Sequence, residues 1–203
     1  MFNEFSGAVQ VKALTLSAVQ RITGLDWNRV EIDAPAAKST IPTETGVYLW
    51  VNPEAPQCLR YHGSGTGADG LRGRLSGQLT WRSKQLARQK RFRDDDQWVH
   101  GWERAEEVPV VRAVAEDRLE LWTAVARPAT WCVPSWAEPS GLQPPENALE
   151  WETFISEASR LAVGHRGIVG GGAWENKRNT LGDRMCHVAW YRLVEVADNC
   201  ERL

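Results

Sequence analysis

The chain has 203 residues and a formal charge of −2, enough length for one domain of ordinary size with a hydrophobic core, and too balanced a charge to announce nucleic acid by itself. No window holds the roughly 18 uninterrupted apolar residues that a membrane span needs, and "MFNEFSGAVQVK" lacks a basic start followed by an apolar run. Cys58, Cys132, Cys186 and Cys200 are scattered with no C-x-x-C pair, which suggests neither a zinc ribbon nor a disulfide framework and leads us to expect reduced thiols in a cytoplasmic protein.

In chain order, residues 7–22 have mixed periodicity, compatible with a helix or a strand. "STIPTETGVYLWVN" is a polar turn followed by a β-branched and aromatic run, which predicts a strand over about 46–51. "VNPEAP" must turn, and "QCLRYHG" reads as a second strand, so 46–63 form a hairpin. "GSGTGADG" is a loop. From Leu71, the leucines at 71, 75, 79 and 86 recur at helical spacing among arginine, lysine and glutamine, predicting a basic amphipathic helix. A charged turn, "RFRDDDQ", leads into "WVHGWERAEE", where Trp98, His100 and Trp102 alternate as a third strand. Pro109 suits a first helical position, and "PVVRAVAEDRLELWTAV" reads as a helix. A proline-rich stretch over 128–147 is irregular. "ALEWETFISEASRLAV" is a helix with Leu149, Phe154, Ile155 and Leu161 as its apolar face, "GHRGIVGGGAWENKRN" a glycine-rich loop, and "MCHVAWYRLVEV" a terminal strand.

The charge is unevenly spread. Residues 57–93 hold nine Lys/Arg against one acid, whereas 94–157 hold four against fourteen. The first segment is the kind of patch that neutralises phosphates. The eleven tryptophans suit core packing, with a minority free to stack on bases. "GSGTGADG" lacks G-x-x-x-x-G-K-[ST], and no lysine lies between Tyr61 and Trp81, which argues against a nucleotide-phosphate loop.

Gly46-Val47-Tyr48, then Tyr61-His62-Gly63 thirteen residues after the first tyrosine, then "GLRGRL" opening a helix, resembles the GIY-YIG nuclease family over roughly 44–128. The resemblance implies an α/β (α+β) fold with a small three-stranded antiparallel sheet flanked by helices, an N-terminal extension at 1–43, and a C-terminal extension at 129–203 packed on the core. It implies a DNA endonuclease, of restriction or defence type, using one divalent metal, Mg2+ or Mn2+. Tyr48 and Tyr61 match the two motif tyrosines, and Arg74 the helical arginine, with Arg72 as its alternative. The metal-binding glutamate is Glu116 or Glu120, which lie one helical turn apart.

The chemistry asks for these residue types. A phenol beside a cation can take a proton from water once its pKa is depressed, a guanidinium stabilises the charge gathering on phosphorus, and one carboxylate holds a hard cation while leaving its shell to water and phosphate. The family commonly places a histidine or tyrosine four residues after the arginine. Here that residue is Gln78, which shifts the base role to Tyr48 or His62, and the family's asparagine falls at Cys132. Arg82, Lys84, Arg88, Lys90, Arg91 and Arg93 would track DNA, joined by Lys177 and Arg178. A homodimer cutting both strands is one expectation, and a decayed core that only binds DNA or senses its modification is the alternative.

Overall fold

The computed structural model describes residues 14–33, 36–53, 59–91, 119–135, 141–163 and 180–200. Helix α1 (Leu16–Thr23) starts at Thr15, whose side chain accepts from the Ala18 amide. It stops at Gly24, which takes a left-handed conformation and returns its N–H to the Gln20 carbonyl. Strand β1 (Asn28–Val30) and the single turn α2 (Ala37–Thr40) follow. Strands β2 (Gly46–Val51) and β3 (Leu59–Gly65) form the expected hairpin, and α3 (Gly70–Arg91) is the expected basic helix. Strand β4 (Glu120–Val125) precedes helices α4 (Ala148–Val163) and α5 (Thr180–Cys200).

The sheet is open and antiparallel, in the order β1-β4-β2-β3. Among the described residues it has four strands where three were expected: the β2–β3 hairpin is as read, and β1 and β4, neither of them expected, join it. Strand β2 is buried along its whole length, since its alternate residues enter two different cores. Val47, Leu49 and Val51 face α1, α4 and α5. Tyr48 and Trp50 face the other way, with Tyr61 and with Leu71, Leu75 and Leu79 of α3.

Three sequence expectations are corrected. Of the helix expected over 109–125, the described part is a strand instead: Glu120–Val125 pair with β2 and β1, and 109–118 lie outside the described residues. Leu121 enters one core while Trp122 and Ala124 meet the other, so both faces of the strand are apolar and the two-residue alternation is lost from the sequence. The expected terminal strand, 185–196, is part of α5, with Met185, Val188, Ala189 and Tyr191 buried at helical spacing. The apolar face of α4 is turned from its expected position. Trp151, Phe154, Ile155 and Ala158 are buried, whereas Leu149 and Leu161 are 54% and 37% exposed. The third strand expected near Trp98–Trp102 lies outside the described residues.

The glycines around α3 close the space where a phosphate would sit. Gly70 has a φ of +48°, and a Cβ there would lie 2.1 Å from the Glu44 carbonyl oxygen. The next two amides are already used: Leu71 N–H donates to Glu44 O at 3.0 Å, and Arg72 N–H to Pro42 O at 2.9 Å. This helix start is bound to its own chain rather than offered to an anion. Among the described residues, no helix is long and apolar enough to cross a membrane.

Candidate functional site

Beside the β2–β3 hairpin, Tyr48, Tyr61 and Arg74 meet on one face of the sheet, and Arg74 also feels a carboxylate held on the other. Tyr48 on β2 and Tyr61 on β3 lie on the same sheet face, ring centroids 6.0 Å apart and planes inclined by 40°. The hairpin register explains the glycine between them. Tyr48 pairs with Gly63, and a Cβ on Gly63 would lie 2.5 Å from the Tyr48 hydroxyl oxygen and 2.7 Å from Cζ. The Tyr48 phenol therefore lies across the space a side chain at 63 would fill. Gly63→Ala is expected to destabilise the fold by about 1–3 kcal/mol through this overpacking. The urea midpoint should fall, and Gly63→Ala combined with Tyr48→Leu should recover most of it.

The Arg74 guanidinium, exposed on α3, lies against both phenols. Against the depressed pKa expected of a base, burial and then the neighbouring Tyr61 raise the Tyr48 pKa above the usual phenol range, and the Arg74 charge only opposes that rise. Arg72, the alternative arginine, is committed elsewhere. Its Nε donates to Ile41 O at 2.9 Å and its Nη2 to Ser39 O at 3.0 Å, clamping the chain at the end of α2.

Gln78, the residue expected to be a weakness, is buried against Tyr48. Trp50 Nε1–H donates to Gln78 Oε1 at 2.8 Å, and Gln78 Nε2–H donates to Tyr48 Oη at 2.7 Å. An indole N–H can only donate, so the amide orientation is fixed by chemistry.

The carboxylate on the other face is Glu152 of α4, which the sequence reading missed. Ser64 Oγ–H donates to Glu152 Oε2, and the carboxylate lies close enough to Arg74 to feel its charge. Burial raises the Glu152 pKa, opposed by the Ser64 hydrogen bond and by Arg74. Asn147 sets where α4 begins, its Oδ1 accepting from the Leu149 and Glu150 amides, both at 3.1 Å. The signal that could have found Glu152 is Asn147 followed three residues on by Glu150, which dates the helix start and places Glu152 in its second turn.

Of the two expected carboxylates, only Glu120 is among the described residues. Glu120 is on β4, in an ion pair with Arg29 at 3.5 Å and accepting from the Trp122 indole at 3.0 Å. Glu116, Arg93, Lys177 and Arg178 lie outside the described residues, as do the side chains of Arg82, Lys84, Arg88, Lys90 and Arg91 on α3. Among the described residues, no group of three or more His, Cys, Asp or Glu side chains could hold a metal by itself.

No protein-family model matches the chain, and no curated protein or solved structure matches it. Its chemistry has to be read from its own side chains.

His62, the other candidate base, points to the opposite side of β3 from Tyr61, where its Nε2 shares a hydrogen bond with Ser156 Oγ on α4. Burial lowers its pKa from 6.5 to about 4. The unfolded chain therefore takes up this proton first as the pH falls. His62 should contribute full stability above about 6.5 and lose about 3 kcal/mol as the pH drops to about 4. Urea unfolding across that window should show the decline, and His62→Gln should flatten it. Through Ser156 and Ser64, β3 holds α4 at two points one helical turn apart, which fixes Glu152 at the sheet edge.

Proposed function

We propose that the chain is a metal-dependent DNA endonuclease of the GIY-YIG kind, hydrolysing phosphodiester bonds in a restriction or defence setting. The observation that carries this reading is Arg74 of α3 lying against both Tyr48 and Tyr61 while its charge also reaches Glu152, which Ser64 holds on the other face of β3. Neither a packing core nor a surface ion pair calls for two phenols, a guanidinium and a half-buried carboxylate together.

Arg74 is the exposed member, so a DNA phosphate would meet it first, and its forked donors suit two phosphate oxygens. Tyr48, once it has given up its own proton to become the phenolate, accepts one proton from the attacking water. The water oxygen bonds to phosphorus, and the bond to the leaving sugar oxygen breaks, its electron pair departing on that oxygen. Glu152 is the side chain that would hold a divalent cation. The fit rests on its chemistry: a single carboxylate, whose ionisation burial disfavours, gains most from a cation and leaves the rest of the shell to water and phosphate, as Mg2+ or Mn2+ prefers. When bound, such a cation neutralises charge building on the phosphate and acidifies nearby water. The basic sequence of α3 supports a DNA track leading to Arg74.

Incubation of the protein with supercoiled plasmid and Mg2+ tests the reading. Nicking or linearisation should appear, vanish with a chelator, and fall by about a hundredfold in Arg74→Ala and in Tyr61→Phe. Retained cleavage in both variants would sink the site. DNA binding with no cleavage of unmodified, methylated or phage DNA would favour the non-catalytic alternative.

A further inference from the structure

We propose that Trp50 and Gln78 form a fixed two-bond relay that keeps the Tyr48 oxygen a proton acceptor, taking the place of a titratable side chain at position 78. The inference rests on the endonuclease reading and assigns two positioning residues to it. Trp50 Nε1–H has no alternative to donating, so it holds Gln78 Oε1, and the amide is left with only N–H to present to Tyr48. Both bonds are buried, so water does not compete for them.

The consequence concerns where the Tyr48 proton can go. It cannot point at Gln78 Nε2 or at the Arg74 guanidinium, because neither accepts. It can point only toward Tyr61 or toward whatever enters beside Arg74. Once the proton has left, the phenolate oxygen keeps its donor from Gln78 and the charge of Arg74. A hydrogen bond to the charged form favours that form. Burial and Tyr61 disfavour the phenolate, and Arg74 opposes them. Tyr61 comes from β3, Arg74 and the neutral Gln78 from α3, the neutral Thr123 from the paired position on β4, and Glu152 of α4 acts only from beside Arg74.

In the reaction, Tyr48 phenolate takes one proton from the attacking water as its oxygen bonds to phosphorus. The leaving sugar oxygen takes a proton from solvent, and Tyr48 returns to phenolate by releasing its proton outward, because glutamine cannot receive it.

The test reads ionisation and cleavage separately. A fluorinated tyrosine of lower phenol pKa is placed at position 48, and its 19F resonance is titrated in the otherwise wild-type chain and with Gln78→Leu, Gln78→Glu, Gln78→His and Trp50→Phe. Gln78→Leu should raise the ionisation midpoint by about one pH unit, the scale of one lost hydrogen bond to the charged form. Gln78→Glu should raise it further, since a carboxylate accepts from the phenol. Gln78→His should restore it, since one ring nitrogen accepts from Trp50 while the other N–H donates to Tyr48. Trp50→Phe frees the amide to turn and should give a smaller rise. The alkaline limb of the plasmid-cleavage pH profile should move in the same order. Unchanged ionisation in Gln78→Leu and Trp50→Phe, or a downward shift in Gln78→Glu, would overturn the relay. The ordered fluorine shifts together with a wild-type chain that cleaves no DNA would overturn the endonuclease reading and uphold the relay's hold on Tyr48.

Discussion

Glu152→Gln is expected to reduce Mg2+-dependent plasmid cleavage by about a hundredfold or more without lowering the melting temperature. The two readouts should separate because of what surrounds the side chain. Glutamine has nearly the same shape and keeps a carbonyl oxygen to accept from Ser64, so the contact between β3 and α4 survives. What is lost is the negative charge. Burial already makes that charge costly in the folded state, so its removal leaves stability unchanged or slightly higher. A cation loses its only carboxylate anchor at this edge among the described residues, and more Mg2+ should rescue the variant poorly. Glu120→Gln is the matched control. Its carboxylate pairs with Arg29 and the Trp122 indole instead, and cleavage should stay near the wild-type rate. Wild-type cleavage by Glu152→Gln would remove Glu152 from the site.

Trp151→Ala should have the largest effect on stability, about 3–5 kcal/mol, out of the 5–15 kcal/mol typical of a whole domain. Trp151 is fully buried on α4. Its ring packs edge-on against Phe154, with centroids 5.5 Å apart, and against Trp131 at 6.2 Å, and its Nε1–H donates to the Arg127 carbonyl at 2.7 Å. Alanine would leave a void among large rings that cannot collapse onto it, and would strip a donor from the segment leaving β4. Trp151→Phe should cost less than half as much, since most of the apolar volume remains. Equilibrium unfolding followed by far-UV circular dichroism measures both, and it avoids the overlapping emission of eleven tryptophans. A loss below about 1 kcal/mol in Trp151→Ala would contradict the packing described here.

The part of the site that was legible lies where local pattern and tertiary role coincide. The β2–β3 hairpin announces itself by aromatic and β-branched runs around a proline-bearing turn, and α3 by leucines at helical spacing. Tyr48, Tyr61 and Arg74 could therefore be named in advance. Glu152 was not, because one misread strand moved the search for it away from the Asn147 helix start. Residues 120–125 are apolar toward both cores, so they looked like the end of a helix, and the carboxylate was sought there. Once β4 is a strand, the helix that follows it in the described chain is α4. Strand β1 is too short to show a period, and its place beside β4 depends on long-range pairing alone. Gln78 shows the opposite failure. Its identity was plain, but only its neighbours reveal that it acts as a donor to Tyr48, and nothing local in the sequence reports that Trp50 lies across from it.

The Tyr48 ring and the bare backbone at Gly63 are a shape and its mould, fifteen positions apart in one chain. Neither can change first without loss. A side chain gained at 63 evicts the phenol, and a smaller residue at 48 leaves a hole over the glycine. Descendants of this chain should therefore keep both or replace both, so that the two sites are inherited as one character.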